Sequence, residues 1–238
     1  MRTHVLVVSD VHIGSPVSRS GALLRVLRGW ELETLLINGD LFNDLAFTRL
    51  TKDDWHLLSH LRRLTGHRHN ARVVWVRGNH DDPVAEAVAH LLGIELAEEF
   101  EWEEEGGGRY VALHGHQFDN FIQRHPGVTN VACAIYFTLQ LLDRRQRLSR
   151  QVKRVSKRWL RLDSEVGTKA LAYGEGRGRS VICGHTHHAA RREGRGGVVY
   201  YNSGCWTDIP STLLAVDPGG VRRYEVGEDG ECRKAEHD

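Results

Sequence analysis

Cysteine is scarce: the chain of 238 residues has four, Cys133, Cys183, Cys205 and Cys232, and they are scattered. Without close pairs there is no zinc knuckle, and without density there is no secreted disulfide scaffold, so a reducing cytoplasm is the expected compartment. Long apolar runs are missing as well. The stretch Val5 to Val8 ends at Ser9-Asp10, far short of a signal peptide's apolar region or a membrane span. Neither charge dominates: the formal net charge is +1, so the whole molecule is not a polycation built for nucleic acid or anionic membrane, and any such preference must be local. Absence of a repeating unit and of a glycine period excludes a solenoid or a collagen-like chain. The length fits one domain, 1–238, with room for a real core and a sizeable insertion.

Short runs rich in β-branched residues, bounded by turn residues, predict strands at Val5 to Ser9, Thr34 to Asn38, Val73 to Arg77, Arg109 to Leu113, Ser180 to Cys183, Val198 to Asn202 and Ser211 to Val216. Helical patterns lie between the early ones, at Ser18 to Trp30, Lys52 to Leu64 and Pro83 to Leu92. Strand alternating with helix argues for a layered α/β domain. Glu98 to Glu105, the glycines 106–108 and Arg109 to Leu113 read as a hairpin, with the glutamates on a solvated edge strand. From about Asn120 to Gly178 the pattern breaks, and apolar residues step by four and three through Val128 to Leu142 and again through Leu148 to Leu162. Two amphipathic helices are expected there, forming a helical cap, 120–178, inserted in the domain.

Four polar clusters stand at the ends of predicted strands, where open α/β sheets present ligands: Asp10-Val11-His12, Gly39-Asp40, Gly78-Asn79-His80-Asp81 and Gly184-His185-Thr186-His187. Each alone reads as a turn or a helix cap. Together, in this order, with His114 after a further strand, they are hard to explain as loops. Mixed Asp, Asn and His donors suit manganese, iron or zinc. The spacings Asp10-x-His12 and His185-x-His187 put both side chains on one side of an extended strand end. A carboxylate such as Asp40 can bridge two ions roughly 3.5 to 4 Å apart.

These residues resemble the calcineurin-like metallophosphoesterases, whose pattern runs D-x-H, G-D, G-N-H-D, H and G-H-x-H. The resemblance implies an αββα sandwich of two mixed β-sheets flanked by helices, and two divalent ions, manganese first with iron or zinc as alternatives. It implies one ion on Asp10, His12, Asp40 and His187 and a second on Asp40, Asn79, His114 and His185, with a bridging hydroxide attacking phosphorus in line. His80 would stand by the scissile phosphate as proton donor or charge stabiliser, a role suited to a side chain that titrates near neutrality. Asp81, the last residue of that motif, and Asp44, beside Asn43 where phosphoprotein phosphatases carry an orienting aspartate, are counted with it as catalytic candidates.

Within the family the nearest look is to bacterial hydrolases of UDP-2,3-diacylglucosamine, on the first-strand motif, Gly39-Asp40-Leu41-Phe42, His114-Gly115 and a cap before G-H-T-H. Those enzymes generally carry arginine at the position of His80 and aspartate at that of His116. The resemblance points to the subgroup; a small phosphorylated, lipid-linked substrate and peripheral contact with the inner membrane are expected from the cap, whose first predicted helix is apolar on more than one side and whose second is strongly basic. Arg144 to Arg161 holds nine basic and no acidic residues. It reads as a solvated helix face or as a grip on anionic substrate through Arg154, Arg158 and Arg161, with His116 counted beside them. Lack of aromatic interleaving disfavours a nucleic-acid strand. Trp206 either stacks on a substrate ring or covers the core. The alternatives in function are a general phosphodiesterase or phosphomonoesterase acting on nucleotides or phosphoproteins, and a non-catalytic scaffold on the same fold.

Overall fold

The first strand, β1 (Arg2–Val8), shows how the layers are built, because successive side chains leave a strand on opposite faces. Leu6 and Val8 join a cluster with Leu23, Leu27, Leu57 and Leu61, whereas Val5 and Val7 join one with Phe100, Tyr110 and Ile182. Both faces are therefore buried, one under helices and the other against a second sheet. A computed structural model describes residues 1–44, 46–66, 71–81, 85–119 and 162–235.

After β1 come α1 (Ser20–Arg28), β2 (Glu31–Asn38), α2 (Lys52–Leu64), β3 (Arg72–Val76), α3 (Ala85–Leu92), β4 (Glu95–Ala97), β5 (Phe100–Glu103) and β6 (Arg109–Ala112). There follow α4 (Leu162–Arg177), β7 (Ser180–Cys183), β8 (Ala190–Glu193), β9 (Val199–Asn202), β10 (Ser211–Asp217), β11 (Gly220–Val226) and β12 (Cys232–Lys234). The larger sheet has seven strands in the order β12-β11-β10-β1-β2-β3-β4, and the smaller has five, β5-β6-β7-β9-β8. Strands β1 to β4 run parallel and β10 to β12 pair antiparallel; β6, β7 and β9 run parallel and both edge strands of the smaller sheet pair antiparallel. Both sheets are mixed, as expected of the αββα sandwich.

Helices α1 to α3 cover the outer face of the larger sheet through the first cluster. On the smaller sheet the outer face is covered by α4, whose Ala170 packs with Val111, Leu113, Val181, Cys183 and Tyr200. Residues 162–177, expected within the inserted cap, thus belong to this layer. The two predicted cap helices lie almost wholly outside the described residues.

Local sequence explains the element ends. Helix α2 starts at a capping box, in which Thr51 Oγ1 accepts from Asp54 N–H at 3.2 Å and the Asp54 carboxylate accepts from Thr51 N–H at 2.8 Å. Such caps typically contribute about 1 kcal/mol. The acidic strand β5 does lie at a sheet edge, but its glutamates and the preceding Glu99 are paired: Glu99 and Glu101 with Arg177, and Glu101 and Glu103 with Arg179. Glu104 departs from the solvated reading: it is buried and bonded to His4 and to the Trp102 indole. Trp206 is fully buried in the first cluster, which settles it as a core residue.

The parallel strands of both sheets end on the same side, at Val8, Asn38, Val76, Ala112 and Cys183, and the polar motifs follow those ends. Asn38 ties the sheets together there, its Nδ2 donating to the carbonyls of Leu113 and Ile182 at 3.2 and 3.1 Å.

Candidate metal centre

Five motif residues have left-handed backbones: Asp10 (φ 51°), His12 (φ 50°), Asp40 (φ 49°), His185 (φ 65°) and His187 (φ 58°). Among the described residues these are the only non-glycine residues with positive φ. Their convergence does not come from alternation along an extended strand, the sequence-based reason for the x-spaced pairs. Each lies beyond its strand, in a conformation that costs an L-residue roughly 1–2 kcal/mol. The backbone turn aims the side chains into the gap between the sheets.

Glycine makes that approach feasible. Gly39 has φ 84°, and a Cβ there would lie 2.1 Å from His114 Nδ1. At Gly78 a Cβ would lie 2.2 Å from both the backbone nitrogen and Oδ1 of Asp40.

Three groups of side-chain donor atoms lie within 4.8 Å of one another: Asp10 with His12 and His187, Asp10 with Asp40 and His114, and His12 with Asp40 and His80. Asp40 Oδ2 stands 3.6 Å from His12 Nε2 and 3.4 Å from His114 Nε2. His187 Nε2 stands 2.8 Å from Asp10 Oδ1, an ion-pair contact not aligned as a hydrogen bond. Asp10 Oδ1 and His114 Nε2 are buried and make no hydrogen bond. Native proteins rarely leave buried polar atoms so. A cation in the gap would satisfy both, and a donor set of carboxylate oxygen and imidazole nitrogen fits a hard or borderline divalent ion.

The opposite ring nitrogens are held in place. His114 Nδ1 bonds the Asn38 carbonyl at 2.9 Å and His187 Nδ1 the Thr207 hydroxyl at 3.3 Å. Burial works against charge on Asp10, Asp40 and His114, but the attraction of their neighbours outweighs it. His187 and His12 hold the Asp10 carboxyl well below the usual carboxylate range, and His114, His80 and His12 do the same for Asp40. Asp40 in turn lifts His114 to about 9.

Other sequence candidates are placed differently. His185 falls outside the three groups; its backbone N–H donates to Asp10 Oδ2 at 2.9 Å and its ring lies 5.3 Å from that of His114. Asn79 is exposed on the turn after β3. His116 sits at the rim, its ring 5.6 Å from that of His114. Asp81 does not face the gap: it is buried beneath it, accepting from the N–H groups of Asp40, Gly78 and Phe42 and from the Trp75 indole. Burial and the nearby Asp40 carboxylate push it up to about 6. Asp44 does not orient His80: its carboxylate takes Asn43 Nδ2, Ala46 N–H and the Arg49 guanidinium. The orienting group is instead the backbone carbonyl of Asn43, 2.9 Å from His80 Nδ1. Arg154, Arg158 and Arg161 lie outside the described residues. Sequence reasoning missed Thr207 and Asp119, whose buried carboxylate meets His185 Nε2 at 3.0 Å. Neither stands in a metal-ligand spacing, so no local signal marked them.

Residues 3–189 match the family described as calcineurin-like phosphoesterase, and the chain belongs to it. It is a metal-dependent phosphoesterase, a hydrolase of phosphate esters. No curated protein was found to match the chain. Among solved structures, the nuclease MPE of Pseudomonas putida is 20% identical, over 97% of this chain and 87% of its own, with a TM-score of 0.40. A dimetal phosphatase from Danio rerio is 14% identical, over 94% of this chain and 92% of its own, with a TM-score of 0.43. Among the described residues no helix is long and apolar enough to cross a membrane.

Proposed function

We propose that the chain holds two divalent ions, manganese in preference to iron or zinc, and cleaves a phosphate ester or phosphoanhydride between them. The observation that carries this is the position of Asp40, whose Oδ2 lies within 3.6 Å of His12 Nε2 on one side and 3.4 Å of His114 Nε2 on the other. Asp10, His12, Asp40 and His187 would hold one ion, and Asp40, Asn79, His114 and His185 the other. Bound there, the ions supply a nucleophile at neutral pH and Lewis-acid stabilisation of the charge that builds on phosphorus.

The residues do the rest. His80 is held from two sides, its N–H donating to Asp40 Oδ1 at 3.0 Å and its Nδ1 bonded to the Asn43 carbonyl at 2.9 Å. A carbonyl only accepts, so Nδ1 keeps its proton, and a proton on Nε2 is the one His80 can give to the leaving oxygen. Asp81 fixes Asp40 and the Gly78 turn by accepting both of their N–H groups.

For the substrate, the finer reading is a nucleoside-diphosphate-linked lipid or sugar of the UDP-2,3-diacylglucosamine kind. It is supported by the basic run Arg144 to Arg161 beside the predicted helix Val128 to Leu142, which carries Val131, Ala134, Phe137 and Leu141 outside its main apolar stripe. That arrangement suits a molecule greasy at one end and phosphorylated at the other, with the cap at the membrane surface. A matched panel of bis-p-nitrophenyl phosphate, nucleoside diphosphate sugars and phosphopeptides, run on manganese-loaded protein, tests both levels. Turnover of a diphosphate-linked substrate well above the aryl diester is the expected result. Equal turnover of all three classes would replace the finer reading with a general phosphodiesterase, and none at any metal load would overturn the two-metal reading.

A further inference from the structure

Three histidines proposed as metal ligands have one ring nitrogen occupied by a protein acceptor, and the acceptors differ. His114 uses Nδ1, on a backbone carbonyl, and His187 uses Nδ1, near a hydroxyl; each turns Nε2 toward a site carboxylate. His185 is reversed: its Nε2 is committed to Asp119 Oδ2 at 3.0 Å, and the acceptor is a carboxylate. That carboxylate is buried, with 1% exposure, and lies in a segment pinned from outside. Lys169 Nζ on α4 donates to the Phe118 carbonyl at 3.0 Å, and the Phe118 ring packs edge-on against Tyr173 of the same helix.

We infer that Asp119 is a positioning residue for the second ion: by accepting the Nε2 proton of His185 it fixes the tautomer that presents Nδ1 for coordination. An imidazole has two nitrogens, and a neutral ring can offer a lone pair only from the one that lacks the proton. A carboxylate on the far nitrogen both holds the ring and raises its basicity as a ligand. The assignment rests on the two-metal reading. It adds that a carboxylate 66 residues away in sequence sets which nitrogen of His185 is left for the ion.

The tautomers can be read without any substitution. In the zinc-loaded full chain, long-range proton–nitrogen NMR correlations should place the proton of His185 on Nε2 and those of His114 and His187 on Nδ1. Coordination of His185 through Nε2 would overturn the inference. Metal affinity gives a second readout. Titrating metal-free protein with manganese by calorimetry, Asp119→Asn should weaken one of two binding events roughly ten- to a hundredfold and spare the other. Added to His185→Ala it should change nothing further, because the two residues act as one unit. Unchanged affinity in Asp119→Asn, or an equal loss in the His185→Ala background, would refute action through His185. A wild type that takes up only one ion would instead refute the two-metal reading, and the inference with it.

Discussion

The Trp75 indole donates to Asp81 Oδ2 at 3.0 Å, and the same oxygen receives the backbone N–H groups of Asp40 and Gly78 at 2.9 and 2.8 Å. A residue that reads in sequence as part of the reactive motif is thus the floor of the site. Asp81→Ala would strand those three donors and the Phe42 N–H, at about 1–3 kcal/mol for each buried group left unpaired. The terms are not additive, so a loss of at least about 3 kcal/mol is expected in urea unfolding of the metal-free protein. Asp81→Asn, which keeps one acceptor oxygen, should lose less. A stability of Asp81→Ala within about 0.5 kcal/mol of wild type would show that the clamp is not structural.

Asp40 stands between both sets of proposed ligands. Asp40→Ala should therefore cut metal content below one ion per chain by elemental analysis and reduce kcat/KM by more than about a hundredfold. Two ions retained per chain with full activity would refute the assignment.

His80 is proposed to move a proton without holding an ion, although its ring shares a donor group with His12 and Asp40. His80→Ala should keep both ions and lower kcat by about 10²–10⁴-fold. The loss should be smaller for substrates with good leaving groups, which need no proton. Loss of an ion in this variant would make His80 a ligand.

Far from the site, His4 Nδ1 meets the buried Glu104 carboxylate at 2.9 Å. That hydrogen bond raises the His4 pKa from 6.5, against a smaller lowering by burial. Because the folded value exceeds the unfolded one, the stabilisation is complete below pH 6.5 and fades as pH rises through the folded value. The stability difference between wild type and His4→Gln should thus be largest near pH 6 and shrink above neutrality. Its size should stay under about 1 kcal/mol, as for other partly exposed pairs. A difference that does not change between pH 5.5 and 9 would contradict this.

Much of the layered core was legible because its strands are short, β-branched and buried on both faces. The predicted Ser180 to Cys183 and Lys52 to Leu64 coincide with β7 and α2. The missed strands lack that signature. β11 reads Gly-Val-Arg-Arg-Tyr-Glu-Val and is mostly half-buried. β8 reads Ala-Arg-Arg-Glu and β12 Cys-Arg-Lys, each at a sheet edge where one side needs no apolar cover, and β4 has only three residues. The motif residues did announce the cluster of donor atoms, since Asp10, His12, Asp40, His80, His114 and His187 make up its three groups. What supports them did not. Asp119 reaches His185 only through the packing of α4 on its segment, and Asn43 orients His80 with a carbonyl that every residue has. Contacts made by folding, and contacts made by the backbone, leave no mark in residue type.

The five left-handed residues set stability against chemistry. Glycine at any one of those positions would relieve roughly 1–2 kcal/mol of backbone strain. A chain selected for heat resistance alone, with no demand for turnover, should therefore lose its ligands there before it loses its core. Durable, inactive variants should carry His12→Gly early, whereas Asp10→Gly would also strand the buried His185 N–H. Bound metal reverses the preference by stabilising only the folded chain that keeps its side chains. Aspartate and histidine at five left-handed positions on three turns are what a demand for metal binding would retain, written in the backbone as well as in the side chains.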